Sequence, residues 1–140
     1  MMNPTVYIDI AGKRYPMRFS TGAIRAISER YGSLDEMSKR MQGADSDMVE
    51  AIDVLQFLLA TLIAQGCAYK NLFDAATPAL ENAPIVDGKY VPLTEDELNV
   101  ALDFADFEMY QRKVFETMRI GQTQTIEAEA KGKKKNEKAV

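Results

Sequence analysis

The chain has no histidine, no tryptophan and a single cysteine, Cys67, among its 140 residues. The missing histidine excludes the most. It removes the commonest acid–base group at neutral pH and the commonest transition-metal ligand. One cysteine cannot build a thiolate zinc site within one chain. No catalytic residues, metal ligands or cofactor site are therefore expected, and the chain is not expected to be an enzyme. Nor can a lone cysteine close an internal disulfide, which agrees with a reducing compartment. The N-terminus lacks the basic region, apolar run and cleavage site of a secreted precursor, so secretion is not expected. Gly12 and Gly22 are too far apart for a phosphate cradle. Two acidic groups, Asp45/Asp47/Glu50 and Glu95/Asp96/Glu97, sit at expected helix starts, where the dipole favours carboxylates without any bound cation.

Positive charge is scarce outside the C-terminus. The net charge is −4, but residues 131–140 hold five lysines and one glutamate, leaving 12 basic and 20 acidic residues elsewhere. A body near −8 argues against nucleic acid on the folded part. The lysine-rich end is expected to be a solvated, disordered tail, with weak attraction to nucleic acid or a membrane surface as the alternative.

What the chain does have is one long apolar stretch, Met48 to Ile63, whose apolar residues run almost all the way round a helix. Such a helix must be covered on most faces. Interrupted by Asp53, Gln56 and Thr61, it falls short of the roughly 18 apolar residues of a membrane span, so a central core helix is expected. Asp45 or Ser46 would cap its start and Gly66 would end it.

Around it the other elements follow in order. Val6, Ile8 and Ile10 alternate with Tyr7 and Asp9, and Tyr15, Met17 and Phe19 alternate with Pro16 and Arg18, which predicts a β-hairpin about Gly12. Pro16 cannot donate to a ladder, so its N–H position should face outward or lie on an edge. Ser20 or Thr21 begins a helix with Ala23, Ile24, Ile27 and Tyr31 inward and Gly32 as its stop. Ser33 with Glu36 begins another, with Asp35–Lys39 and Glu36–Arg40 as i,i+4 pairs. Pro78 and Pro84 rule out a long helix through the connector. Asp87-Gly88 between Ile85 and Val91 reads either as a short hairpin or as a plain loop.

Thr94 with Glu97 is a capping box and opens a helix expected to run to about Met118 or Ile120. It has two apolar stripes, Leu98/Ala101/Leu102/Ala105/Met109 and Val100/Phe104/Phe107/Val114/Met118. They form a surface broader than one helix face needs. The second stripe either packs on the hairpin or the 68–92 region, or serves as a helix-in-groove or self-association surface. Its candidate partner-binding residues are Phe104, Phe107, Tyr110, Val114 and Met118.

These elements give an α+β, mainly helical fold: an N-terminal hairpin on a small helical bundle with a long C-terminal helix. The expected division is one globular domain over 1–120 and a basic tail over 121–140.

The run Val6-Tyr7-Ile8-Asp9-Ile10-Ala11-Gly12-Lys13-Arg14-Tyr15-Pro16-Met17-Arg18-Phe19, followed by a helix closing in Glu29-Arg30-Tyr31-Gly32-Ser33-Leu34-Asp35-Glu36, resembles the N-terminal half of phage tail assembly chaperones of long-tailed, non-contractile phages and prophages. Pro92-Leu93-Thr94-Glu95-Asp96-Glu97-Leu98 is also similar to that family's lead into its last helix. The resemblance spans residues 5–118 in order of elements. It implies a non-enzymatic chaperone in the host cytoplasm, binding the tape measure protein, keeping it soluble, recruiting tail tube subunits, and leaving before the particle is finished. A homo-oligomer is compatible with it. Such proteins are often made also as a longer frameshifted form, and Lys133-Lys134-Lys135 is compatible with an A-rich slippery run. Eight methionines suit adaptable contact with a client. The alternatives are a structural particle protein, such as a head–tail connector or tail completion subunit, and a small acidic protein regulating a host partner.

Overall fold

The structure, a computed structural model, describes residues 4–42 and 47–122. The expected basic tail lies outside the described residues from position 123 onward, and residues 121 and 122 are helical. The fold is mainly helical α+β, as the sequence predicts.

Strands β1 (Val6–Ile10) and β2 (Lys13–Met17) form an antiparallel hairpin in which Ile10 pairs with Lys13 and Val6 with Met17. Ala11 and Gly12 make the turn with φ of 51° and 79°, the doubly left-handed geometry that matches strand twist. In such a two-residue hairpin the pair flanking the turn exchanges hydrogen bonds, and every second pair does so after it. Tyr7↔Pro16 is then a pair that does not, so the absent Pro16 N–H breaks no ladder bond. Val6, Ile8, Ile10, Tyr15 and Met17 are buried.

Helix α1 (Thr21–Tyr31) is capped by Ser20, whose side chain accepts from the Ala23 amide, and is stopped by Gly32 at φ 93°. Its Ile24 is exposed, not inward. In α2 (Leu34–Gln42), the Ser33 hydroxyl accepts from the Glu36 amide as expected. The expected i,i+4 pairs are replaced: Lys39 pairs with Glu36 at 3.4 Å, and Arg40 reaches Glu50 on the next helix at 3.8 Å. These exposed pairs contribute little either way.

The central helix α3 (Met48–Phe73) spans 26 residues, and eleven of them are buried. Its cap is Asp47, which accepts from the Glu50 amide, not Asp45 or Ser46. Gly66 does not end it. A Cβ at Gly66 would strike the Pro16 carbonyl oxygen, so this glycine lets β2 lie directly on the helix. The helix therefore runs two turns further than expected, to Phe73. By length and composition it could cross a membrane, contrary to the expectation that the stretch is too short. In this fold its apolar faces are covered by β2, α1, α2 and the segments that follow.

The connector does form a hairpin, β3 (Ile85–Val86) with β4 (Lys89–Tyr90), turning at Asp87 and Gly88 with φ of 51° and 78°. Asn71 of α3 holds it: Asn71 Nδ2 donates to the Tyr90 carbonyl at 3.0 Å, and the Tyr90 amide donates to Asn71 Oδ1 at 2.9 Å.

The single long last helix predicted from Thr94 is two helices. Helix α4 (Glu95–Ala101) carries the complete Thr94/Glu97 capping box. Leu102 and Asp103 are extended, Phe104–Asp106 is a 3-10 turn, and α5 covers residues 107–122. Rotation explains the break. At about 100° per residue, Leu98 and Val114 would point about 160° apart on one straight helix, yet both are fully buried. Interrupting the helix lets Leu98 on α4 and Val114 and Met118 on α5 face the same core, while Val100 and Phe104 stay outside.

Candidate protein-binding surface

The break between α4 and α5 leaves apolar side chains in water. Leu98 anchors α4 in the core, so its neighbour Val100 points outward and is 85% exposed. Phe104 projects from the 3-10 turn at 65% exposed, its ring 5.9 Å from that of Phe107. Between this segment and one turn of α3 lies a groove of about 160 Å³ walled by Ile52, Leu55, Leu102, Phe104 and Phe107, with Tyr110 among its lining. Its polar end is closed by Gln56, which donates from Nε2 to Asn99 Oδ1 at 3.0 Å. One turn before Ile52 on α3, Val49 is also exposed.

The five residues singled out from sequence do not share one face. Phe104 is exposed and Phe107 half-buried, and both wall the groove. Val114 and Met118 are buried in the core instead, and Tyr110, though buried, also lines the groove. The expectation of one continuous binding stripe is corrected on that point, because the break rotates α5 so that its stripe faces inward. Sequence reasoning missed Ile52 and Leu102, which the core-helix and first-stripe assignments had placed inside. It also missed Val49. Its flank by Glu50 and Asp53, with Asp47 as the helix cap, was the available signal that this end of α3 meets water.

One carboxylate, that of Asp103, lines the groove, and the two stretches that form its walls are acidic. The stretch 47–69 contributes Asp47, Glu50 and Asp53, the stretch 90–111 contributes six more, and neither contains a lysine or arginine. Arg40 meets Glu50, and Arg30 from α1 meets Glu95 at 3.1 Å while stacking over the Phe57 ring at 4.4 Å. Among the described residues, Asp53, Asp103 and Asp106 have no ion-pair partner. Burial holds the Tyr110 hydroxyl above its ordinary pKa. A hydrogen bond to the Asp103 backbone opposes that, and the Asp106 and Asp103 carboxylates push it further up, so their field reaches the groove.

Other parts of the molecule offer little chemistry. Cys67 is buried and its thiol is pushed up to about 12 by desolvation, the reverse of a reactive cysteine. Lys70, buried beside the Tyr7 ring, is paired with Asp74 at 2.9 Å. Among the described residues no three His, Cys, Asp or Glu side chains converge as metal ligands would. A second apolar area, Leu72 and Phe73 at the end of α3, lies exposed beside the β3–β4 connector.

Comparison with known protein families, with curated proteins and with solved structures finds no match to this chain.

Proposed function

We propose that this protein is a non-enzymatic binding protein of the tail assembly chaperone class, whose groove at the α4–α5 break engages apolar helical segments of a tape measure protein. The observation that carries the reading is the exposure of Phe104, at 65%, over a groove already walled by apolar side chains. A large aromatic ring left in water beside an apolar groove marks an interaction site more often than a packing fault. The hairpin and Tyr-Gly-Ser-Leu resemblance supplies the client class. The acidic body supplies solubility while the client is held.

In this role the chain supplies shape and apolar area, with no covalent step. A client helix seats one side chain in the groove and covers Phe104 and Val100, and its own apolar stripe is withheld from self-association. Tail tube subunits would be recruited to the complex so formed, in the cytoplasm of the host.

Co-expression tests this. With this chain present, a tape measure protein from the same phage or prophage should stay in the soluble fraction and co-purify with it. A tape measure protein equally insoluble with and without the chain would overturn the assignment. Finding the protein in finished particles would favour the structural alternative.

A further inference from the structure

We propose that the groove at the α4–α5 break selects a cationic peptide segment, one that seats a single aromatic or leucine side chain beside Ile52 and Phe107 and sets lysines or arginines over the flanking carboxylates. This deepens, and rests on, the binding-protein reading above by fixing the chemistry of the bound segment.

Size sets the anchor. A groove of about 160 Å³ matches the volume of an apolar cavity that takes one benzene-sized group. It holds one large side chain, not a row of them, so the remaining recognition must come from the rim. The rim carries one sign of charge. Among the described residues no lysine or arginine lines the groove, and Arg30 and Arg40 are engaged by Glu95 and Glu50. Asp103 lines the groove and Asp106 follows three residues on, both exposed and without ion pairs among the described residues. A cation beside the anchor on the 103–106 side therefore finds carboxylates free to receive it.

The same charge argues against other occupants. A second copy docking here about a two-fold axis would bring Asp103 and Asp106 towards their own counterparts, and like charges across an interface oppose association. Nucleic acid is repelled for the same reason. A lysine-bearing segment gains where it passes Asp103 and Asp106. The chain's own residues 131–140 have that charge but offer no aromatic or leucine anchor.

The test is fluorescence anisotropy on the full chain with two short labelled helical peptides. One has a central phenylalanine flanked by lysines, and the other has every lysine replaced by glutamate. The lysine peptide should bind and the glutamate peptide should not. Binding should weaken about tenfold as salt shortens the Debye length from about 10 Å towards 3 Å. Asp103→Asn with Asp106→Asn should weaken it about fivefold or more with an unchanged thermal midpoint, since Asp103 makes no side-chain cap hydrogen bond. Phe104→Ala should remove it. Equal binding of both peptides, or no response to the double Asn variant, would overturn the proposal. So would binding that emerges only when the five tail lysines are changed to glutamine, because the tail would then be the occupant.

Running the tape measure co-expression in parallel separates the two readings. If the double Asn variant retains the tape measure protein fully while Phe104→Ala loses it, the chaperone reading stands and charge selection fails. If the lysine peptide binds with the expected charge dependence but no tape measure protein is retained, charge selection stands and the chaperone reading fails.

Discussion

Gly66 and Pro16 meet where one lacks a side chain and the other lacks an amide hydrogen. The Pro16 carbonyl lies where a Gly66 Cβ would be, and two residues on the Arg18 amide donates to the Leu62 carbonyl at 3.1 Å. Strand β2 thus rests its outer edge on α3 without a spacer. An N–H at position 16 would have pointed into that contact, and a buried orphan donor costs about 1–3 kcal/mol.

Gly66→Ala forces β2 off α3 and should cost about 3 kcal/mol, read by urea unfolding. Gly22→Ala is the control. Its new methyl would displace only the side-chain end of Gln65 and the hydrogen bond it accepts from Ser20, and alanine favours the helix, so its cost should be about 1 kcal/mol or less. Equal effects from the two would contradict the close approach.

The break in the C-terminal region predicts opposite outcomes at near neighbours. Leu98→Ala, at a fully buried site, should cost about 2–5 kcal/mol. Val100→Ala, two residues on and 85% exposed, should change stability by less than about 0.5 kcal/mol. A straight helix burying the second stripe would reverse that order.

These contrasts show where the sequence was legible. Features set by a few adjacent residues could be read directly: the alternation on either side of Gly12, the caps at Ser20 and Thr94, and the stop at Gly32. Features set by distant partners could not. Gly66 has the composition of a helix stop, but its reason lies on β2. Leu102-Asp103 contains neither glycine nor proline, so nothing local announces the break that turns Val114 inward and leaves Phe104 outside. The Asp87-Gly88 turn reads two ways from sequence because its strands have only two residues each, and the Asn71 clamp that completes the hairpin lies 19 residues from Tyr90.

That clamp gives another prediction. Asn71→Ala removes two hydrogen bonds to the Tyr90 backbone, worth about 1–3 kcal/mol together. The Tyr90 amide should then exchange much faster with solvent, while the amides of Val54 to Leu62 keep their protection. Unchanged exchange at Tyr90 would show that the connector holds itself.

Cys67 predicts an alkaline limit. Its folded pKa of about 12 lies above an unfolded value of 9.0, so the unfolded chain gives up the proton first. The neutral thiol's contribution is complete below pH 9 and is lost as pH rises from 9 towards 12. Thermal midpoints of the wild type should fall across that window more steeply than those of Cys67→Ala. Parallel slopes would remove the thiol from the explanation, leaving the buried tyrosines, whose pKa values are also raised by burial.

Phe104→Glu puts the binding surface to two measurements: retention of the tape measure protein on co-purification, and the thermal midpoint. Retention should be lost while the midpoint stays within about 2 °C of wild type, because the ring is 65% exposed. A variant that retains the client at wild-type level, or one that unfolds, would contradict a binding surface built on Phe104.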